Sequence, residues 1–198
     1  MHTFCLFIGL IVVSIGLTSF KSDEGAIPDF SLRNVDGQLI STADYKNAKG
    51  FIVIFTCNHC PFAKLYSKRM KDLHTKYSAL GVPLIAVNSM DTLIYAEESF
   101  DKMKAKAKKD GFNFPYLQDA TQAVGKSLGA EHTPAAYVIW KESKQWKVKY
   151  QGCIDDNGSN QKKANPFIAN AIDELLQGKT VTNAKTESFG CAIFYRKN

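Results

Sequence analysis

The segment FTCNHCPFAK, Phe55 to Lys64, places Cys57 and Cys60 three residues apart, with His59 between them and Pro61 directly after. Two thiols at this spacing can clamp a metal, staple a turn or exchange disulfides. A structural zinc site calls for a second such pair, or for two histidines at short spacing. Cys153 and Cys191 belong to no second CxxC, and His59, His74 and His132 are too scattered to complete a set. A purely structural staple also fits poorly, because closing so short a loop restricts the unfolded chain little. That leaves redox chemistry, and placement supports it. Cys57 directly follows GFIVIFT, a continuous apolar and β-branched run suited to a strand buried on both faces. It would sit just before or at the start of the next helix, where N–H groups and the positive end of the dipole favour a thiolate. The thiolate is the attacking species in disulfide exchange. Cys60, one turn on, lies on the same side and can resolve a mixed disulfide.

The elements that must hold this turn are legible in outline. DFSLRNVDGQLIS alternates apolar and polar residues around Asp36-Gly37, which predicts a hairpin. Ser41 or Thr42 can cap a short helical turn through Tyr45. Pro61 to Leu80 has helical spacing, stopped by Gly81, with proline tolerated in the first turn. VPLIAVNS predicts a second buried strand, and Ser99 to Lys109 a lysine-rich amphipathic helix. FPYLQD leads into a short helix over Thr121 to Leu128, ended by Gly129. HTPAAYVIW opens a strand that pairs with Trp146 to Tyr150 through KESKQ. PFIANAIDELLQG closes the domain as a helix with Gly178 at its end.

Three stretches together resemble the thioredoxin superfamily, and more narrowly its redoxin branch (AhpC/TSA- and TlpA-like). IPDFSLRNVDGQLIS is similar to that branch's N-terminal hairpin, FTCNHCPFAK to its active-site turn, and EHTPAAYVI to its Thr–cis-Pro loop. The resemblance covers roughly residues 27 to 177. It implies an α/β thioredoxin-like fold, a central mixed β-sheet flanked by helices, with an extra N-terminal β-hairpin. It implies that Cys57 is the exposed nucleophile and Cys60 the more buried resolving thiol. Pro134 would be the cis-proline, and Thr133 would offer backbone hydrogen bonds to an extended substrate. His59 resembles the histidine of the bacterial disulfide-forming oxidant, where it stabilises the thiolate and makes the disulfide more oxidising. Thr56 replaces the usual thioredoxin tryptophan.

The implied activity is an exported thiol–disulfide oxidoreductase working through a Cys-Asn-His-Cys centre. It needs no organic cofactor beyond the redox-active Cys57–Cys60 disulfide. A peroxiredoxin-like thiol peroxidase is the alternative, and a metal-binding or non-catalytic module the second. The peroxidase reading lacks an arginine on the late strands, since Arg33, Arg69 and Arg196 are the only arginines. Asp155 and Asp156 read as capping or loop carboxylates.

The remaining features bound the setting. The chain has 198 residues, 45% of them hydrophobic, enough for one domain with a sizeable core. The net charge of +6 comes largely from scattered lysines, including KMKAKAKK. These read as a solvated helix face without nucleic-acid motifs. FCLFIGLIVVSIGLTSF, Phe4 to Phe20, is uncharged and followed by KSDE, which predicts a signal peptide or membrane anchor over residues 1–24. The domain would span 25–180 and an apolar tail, 181–198, would pack on it. An extracytoplasmic monomer is expected, with cysteine-containing exported proteins or a membrane redox partner as its partners. Cys153 and Cys191 leave three readings open: a structural disulfide with each other, Cys191 as a third redox thiol exchanging with Cys57, or two buried apolar thiols.

Overall fold

The computed structural model describes residues 26–197; the apolar run from Phe4 to Phe20, and Cys5 within it, lie outside these residues. The strands are β1 (Ala26–Ile27), β2 (Ser31–Asn34), β3 (Leu39–Ser41), β4 (Gly50–Phe55), β5 (Leu84–Asn88), β6 (Tyr116–Gln118), β7 (His132–Thr133), β8 (Ala135–Glu142), β9 (Gln145–Gly152) and β10 (Cys191–Ala192). The helices are α1 (Pro61–Leu65), α2 (Ser67–Tyr77), α3 (Phe100–Asp110), α4 (Ala123–Leu128) and α5 (Phe167–Leu176).

The order β1-β9-β8-β4-β5-β6-β2-β3 forms one mixed sheet, and β10 pairs with β7 apart from it. β4 is the central strand, parallel to β5 and antiparallel to β8. All six of its residues are buried, as its unbroken apolar run requires. Strand alternation sends Phe51, Val53 and Phe55 to one face of the sheet, with α4 and the C-terminal Ile193. Ile52 and Ile54 face the other side, against α2, α3 and α5. Both faces of β4 are therefore covered, and its C-terminal end is held by neighbours on each side.

The hairpin forms around Asp36-Gly37, with Ser31 opposite Ser41. Ser41 and Asp44 close a capping box at the turn that follows. Two expectations change. The helix expected over Pro61–Leu80 breaks at Tyr66, where the N–H reaches back only to Ala63. The Tyr66 ring turns inward, its hydroxyl 3.2 Å from Asp155 Oδ1 and the Arg69 guanidinium over its face at 4.7 Å. FPYLQD also contains a strand: β6 lies parallel to β5 and antiparallel to β2. Three residues beside a proline carry too little pattern to announce a strand, and its buried neighbours decide it.

Asp155 is a buried ion-pair partner in addition to accepting from the loop. Both its oxygens take Arg69 Nη1, at 2.6 and 2.7 Å, with about 6% of the Asp155 side chain exposed. Asp156, in contrast, is exposed and accepts from Asn165. Asp155→Ala strands a buried guanidinium and is expected to cost about 3–5 kcal/mol. That should lower the thermal midpoint by roughly 6 °C or more in a chain of this size. Asp156→Ala should leave the midpoint nearly unchanged.

Candidate redox site

β4 delivers the turn Thr56–His59 to the edge of the core, and Thr56 N–H is fixed to the Val87 carbonyl at 2.9 Å. Cys60 is the N-cap of α1, with Pro61 at the first helical position. Because α1 ends at Tyr66, the dipole of a long helix contributes less here than the sequence suggests. Individual hydrogen bonds carry the electrostatics instead.

Cys57 Sγ lies 3.0 Å from Thr133 Oγ1. Cys60, as a thiol, donates to the Thr133 carbonyl at 3.3 Å. The Thr133–Pro134 bond is cis. The structure thus brings Cys57, Cys60, Thr133 and Pro134 to one place. It also corrects one expectation: Cys57 is not an exposed nucleophile, since both Cys57 and Cys60 have no accessible surface.

The cover is the C-terminal tail. β10 pairs antiparallel with β7, Cys191 opposite Thr133 and Ala192 opposite His132. Gly190 makes this approach feasible. Its φ of +143° is a conformation that favours glycine, and a Cβ there would clash with the Thr133 carbonyl oxygen. Beyond the strand, Arg196 grips Asp91 through Nη2 and Nε at 2.6 and 2.9 Å. The Gln122 side chain holds both the Phe194 carbonyl and the Arg196 N–H.

Cys191, opposite Thr133, sits near enough to Cys60 for its thiol to favour the Cys60 thiolate. Cys153 lies elsewhere, its Sγ 3.4 Å from Thr186 Oγ1, and burial pushes its thiol up. The expected Cys153–Cys191 pairing therefore does not form; all four described cysteines are free. Cys191 also neighbours Cys60, not Cys57 as the third-thiol reading assumed.

The three clustered sulfurs share their protons unequally. The hydrogen bond from Cys57 holds Cys60 down to about 4, helped by Cys191 and by the Ala63 N–H. The same bond, burial and the nearby Glu98 carboxylate push Cys57 well up. Burial, then donation to Cys60, raise Cys191 to about 11. The first charge of the pair rests on Cys60, between two thiol donors.

Glu98 is the residue that sequence reasoning missed. Its carboxylate is fully buried and accepts from Asn58 N–H at 2.8 Å, His59 N–H at 2.9 Å and Asn88 Nδ2 at 2.7 Å. His59 Nδ1 is 2.6 Å from the same carboxylate, and the imidazole stacks on Tyr95 at 4.6 Å. His59 therefore touches the site through Glu98, with no hydrogen bond to a sulfur. Nothing local in YAEES announces this role; the link spans forty residues of chain. Cys57, His59 and Glu98 also offer ligand atoms within 4.8 Å of one another, so a metal is geometrically conceivable. Taking one would strip Glu98 from the amides that shape the turn, which argues against that use.

Residues 24–150 match the AhpC/TSA family model. The chain belongs to the AhpC/TSA family. Within it, the chain is 25% identical over 117 residues to a chloroplastic peroxiredoxin Q of Triticum aestivum, covering 59% of this chain and 50% of that protein. It is 26% identical over 117 residues to the thiol-disulfide oxidoreductase ResA of Bacillus thuringiensis subsp. konkukian, covering 59% of this chain and 63% of that protein. The matches thus span under two thirds of the curated relatives' length. Among solved structures, an uncharacterized conserved protein of Geobacillus kaustophilus superposes with a TM-score of 0.78 at 35% identity, covering 88% of this chain and 93% of that one. A putative thiol:disulfide interchange protein DsbE of Chlorobium tepidum superposes at 0.53 and 21% identity, covering 65% and 84%, which shows the fold. This AhpC/TSA member has the thioredoxin-like fold and is a redoxin of that superfamily.

Two measurements check the site. The ultraviolet thiolate band of the reduced protein should grow in near pH 4 as Cys60 ionises, since a lowered pKa places the thiolate on the neutral side. The Cys57 step should lie above pH 9, the value from which it is raised. Separately, Arg196→Ala releases the tail, so alkylation of Cys60 by iodoacetamide should speed up while that of the buried Cys153 does not. Equal rates in variant and parent would show that the tail does not limit access.

Proposed function

We propose that this redoxin is an exported thiol–disulfide oxidoreductase that exchanges disulfides with cysteine-containing proteins or a membrane redox partner through Cys57 and Cys60. The observation that carries the reading is the Cys57–Cys60 pair, buried at the end of β4 with Cys57 Sγ on the Thr133 hydroxyl and Cys60 Sγ on the Thr133 carbonyl. Such a pair can give up two electrons and close a disulfide with no organic cofactor. The names of the Bacillus relative and the Chlorobium structure support this class of chemistry. Export rests on the apolar segment Phe4 to Phe20. Among the described residues no helix is long and apolar enough to cross a membrane.

The direction follows from the charge on the reduced centre. Whatever stabilises the thiolate stabilises the reduced form, which makes the disulfide the better oxidant. Cys60 has this stabilisation from its thiol and amide donors. His59 adds to it indirectly, by occupying the Glu98 carboxylate whose field raises Cys57.

Peroxide reduction is the second reading, favoured by the family model and the wheat peroxiredoxin. The geometry gives it little help. Arg69 is bound to Asp155, Arg196 to Asp91, and Arg33 lies over the Phe100 ring, so each guanidinium has its own partner.

The midpoint potential of Cys57–Cys60, measured in a glutathione buffer on protein lacking residues 1–20, is the deciding test. The expected value lies toward about −120 mV, the oxidising end, and away from about −270 mV, the reducing end. Absence of any Cys57–Cys60 disulfide would overturn the reading. His59→Asn should shift the potential to more reducing values while keeping the turn, because the backbone N–H to Glu98 survives. His59→Pro would delete that N–H as well and confuse the two effects.

A further inference from the structure

The arrangement of the buried pair raises a problem of access. Cys57 and Cys60 have no exposed surface, and the strand that hides them, β10, presents a thiol of its own. Cys191 is partly exposed. It lies opposite Thr133, whose hydroxyl touches Cys57 and whose carbonyl touches Cys60. Strand pairing therefore sets the Cys191 side chain beside the carbonyl that Cys60 Sγ touches. Paired residues on antiparallel strands have Cα atoms about 4.5–5.5 Å apart, so this placement is fixed by the backbone and does not depend on one rotamer.

The tail that carries Cys191 is held on both sides of it. Before it, Gly190 gives the close approach to Thr133. After it, the Ile193 N–H binds the Glu131 carbonyl at 2.8 Å, and Arg196 binds Asp91. Thiol and cover are thus one element. Among the four described cysteines, Cys60 is the one with a thiol neighbour on each side, Cys57 and Cys191.

We propose that Cys191 is a third redox thiol of this centre, which takes over the disulfide by exchange at Cys60 and carries it to the surface. The inference rests on the reading of Cys57 and Cys60 as a redox pair. In the exchange, Cys191 loses its proton and attacks Cys60 Sγ of the Cys57–Cys60 disulfide. The Cys60–Cys191 bond forms, the Cys57–Cys60 bond breaks, and the electron pair leaves on Cys57, which takes up the proton. Cys191 is oxidised, Cys57 is reduced, and no outside oxidant is consumed. An external dithiol can then attack the partly exposed Cys191 sulfur. Cys60 is the leaving group and departs as the stabilised thiolate, while the dithiol is oxidised when its second sulfur releases Cys191. The buried pair is thereby recycled without the external dithiol entering the core.

Disulfide mapping of the full chain tests this. Trypsin leaves Cys57 and Cys60 together in peptide 50–64 and Cys191 in peptide 186–196, so a Cys60–Cys191 bond appears as a cross-link between two peptides. Protein is oxidised with oxidised glutathione, alkylated and digested without reductant. The wild type should yield the 50–64/186–196 cross-link beside the internal disulfide of peptide 50–64. Cys57→Ser should yield the cross-link as its main intramolecular product. Cys191→Ser should lose it and retain the internal disulfide. If Cys191→Ser forms the internal disulfide but neither the wild type nor Cys57→Ser forms the cross-link, the inference is overturned and the redox pair stands. If Cys191→Ser forms no internal disulfide, the redox-pair reading fails, and the relay falls with it.

Discussion

One buried carboxylate shapes the centre. Glu98 gathers the amides of Asn58 and His59, the His59 imidazole and the Asn88 side chain around a group with no access to water. A buried carboxylate is tolerated when its acceptor sites are filled, and unfilled it costs several kcal/mol. The turn between Cys57 and Cys60 is what fills these sites. Turn and carboxylate therefore require each other: the loop has its shape because the charge needs its N–H groups. The same charge sets the tone of the site, since it opposes ionisation of both Cys57 and Cys191 and leaves Cys60 as the favoured seat of negative charge.

A second constraint comes from the sheet. β8 starts directly after Pro134 and runs antiparallel to β4, with Ala135 opposite Phe55. This register brings Thr133 beside the cysteines, so the two segments of the site are adjacent because their strands are. The register is secured by burial on both faces of β4. A slip by one residue would send Phe51, Val53 and Phe55 to the wrong side of the sheet.

Much of this was legible beforehand because it is encoded locally. The apolar run of β4, the Asp36-Gly37 hairpin, the Ser41 cap and the CxxC turn each announce themselves within a few residues. What was not legible depends on long-range partners. Glu98 meets the turn across some forty residues, and its neighbours in YAEES look like ordinary surface. The break at Tyr66 arises because its ring is drawn to Asp155, far along the chain. The three residues of β6 become a strand only because β5 and β2 are there to pair with. The cysteines show the same division: the count suggested a Cys153–Cys191 bond, but the tail's pairing with β7 carries Cys191 to Cys60, while Cys153 packs against Thr186.

The latch between Arg196 and Asp91 ties the segment that carries Cys191 to the chemistry. Docking of the tail and any bond made by Cys191 draw on the same ordered segment, so their free energies are coupled, and coupling of this kind is reciprocal. A Cys60–Cys191 bond would hold the tail down by as much as a docked tail favours that bond. The segment from Gly190 to Arg196 then acts as a remote handle on the redox equilibrium. A binding partner that takes Arg196 away from Asp91 would retune the centre without touching a sulfur.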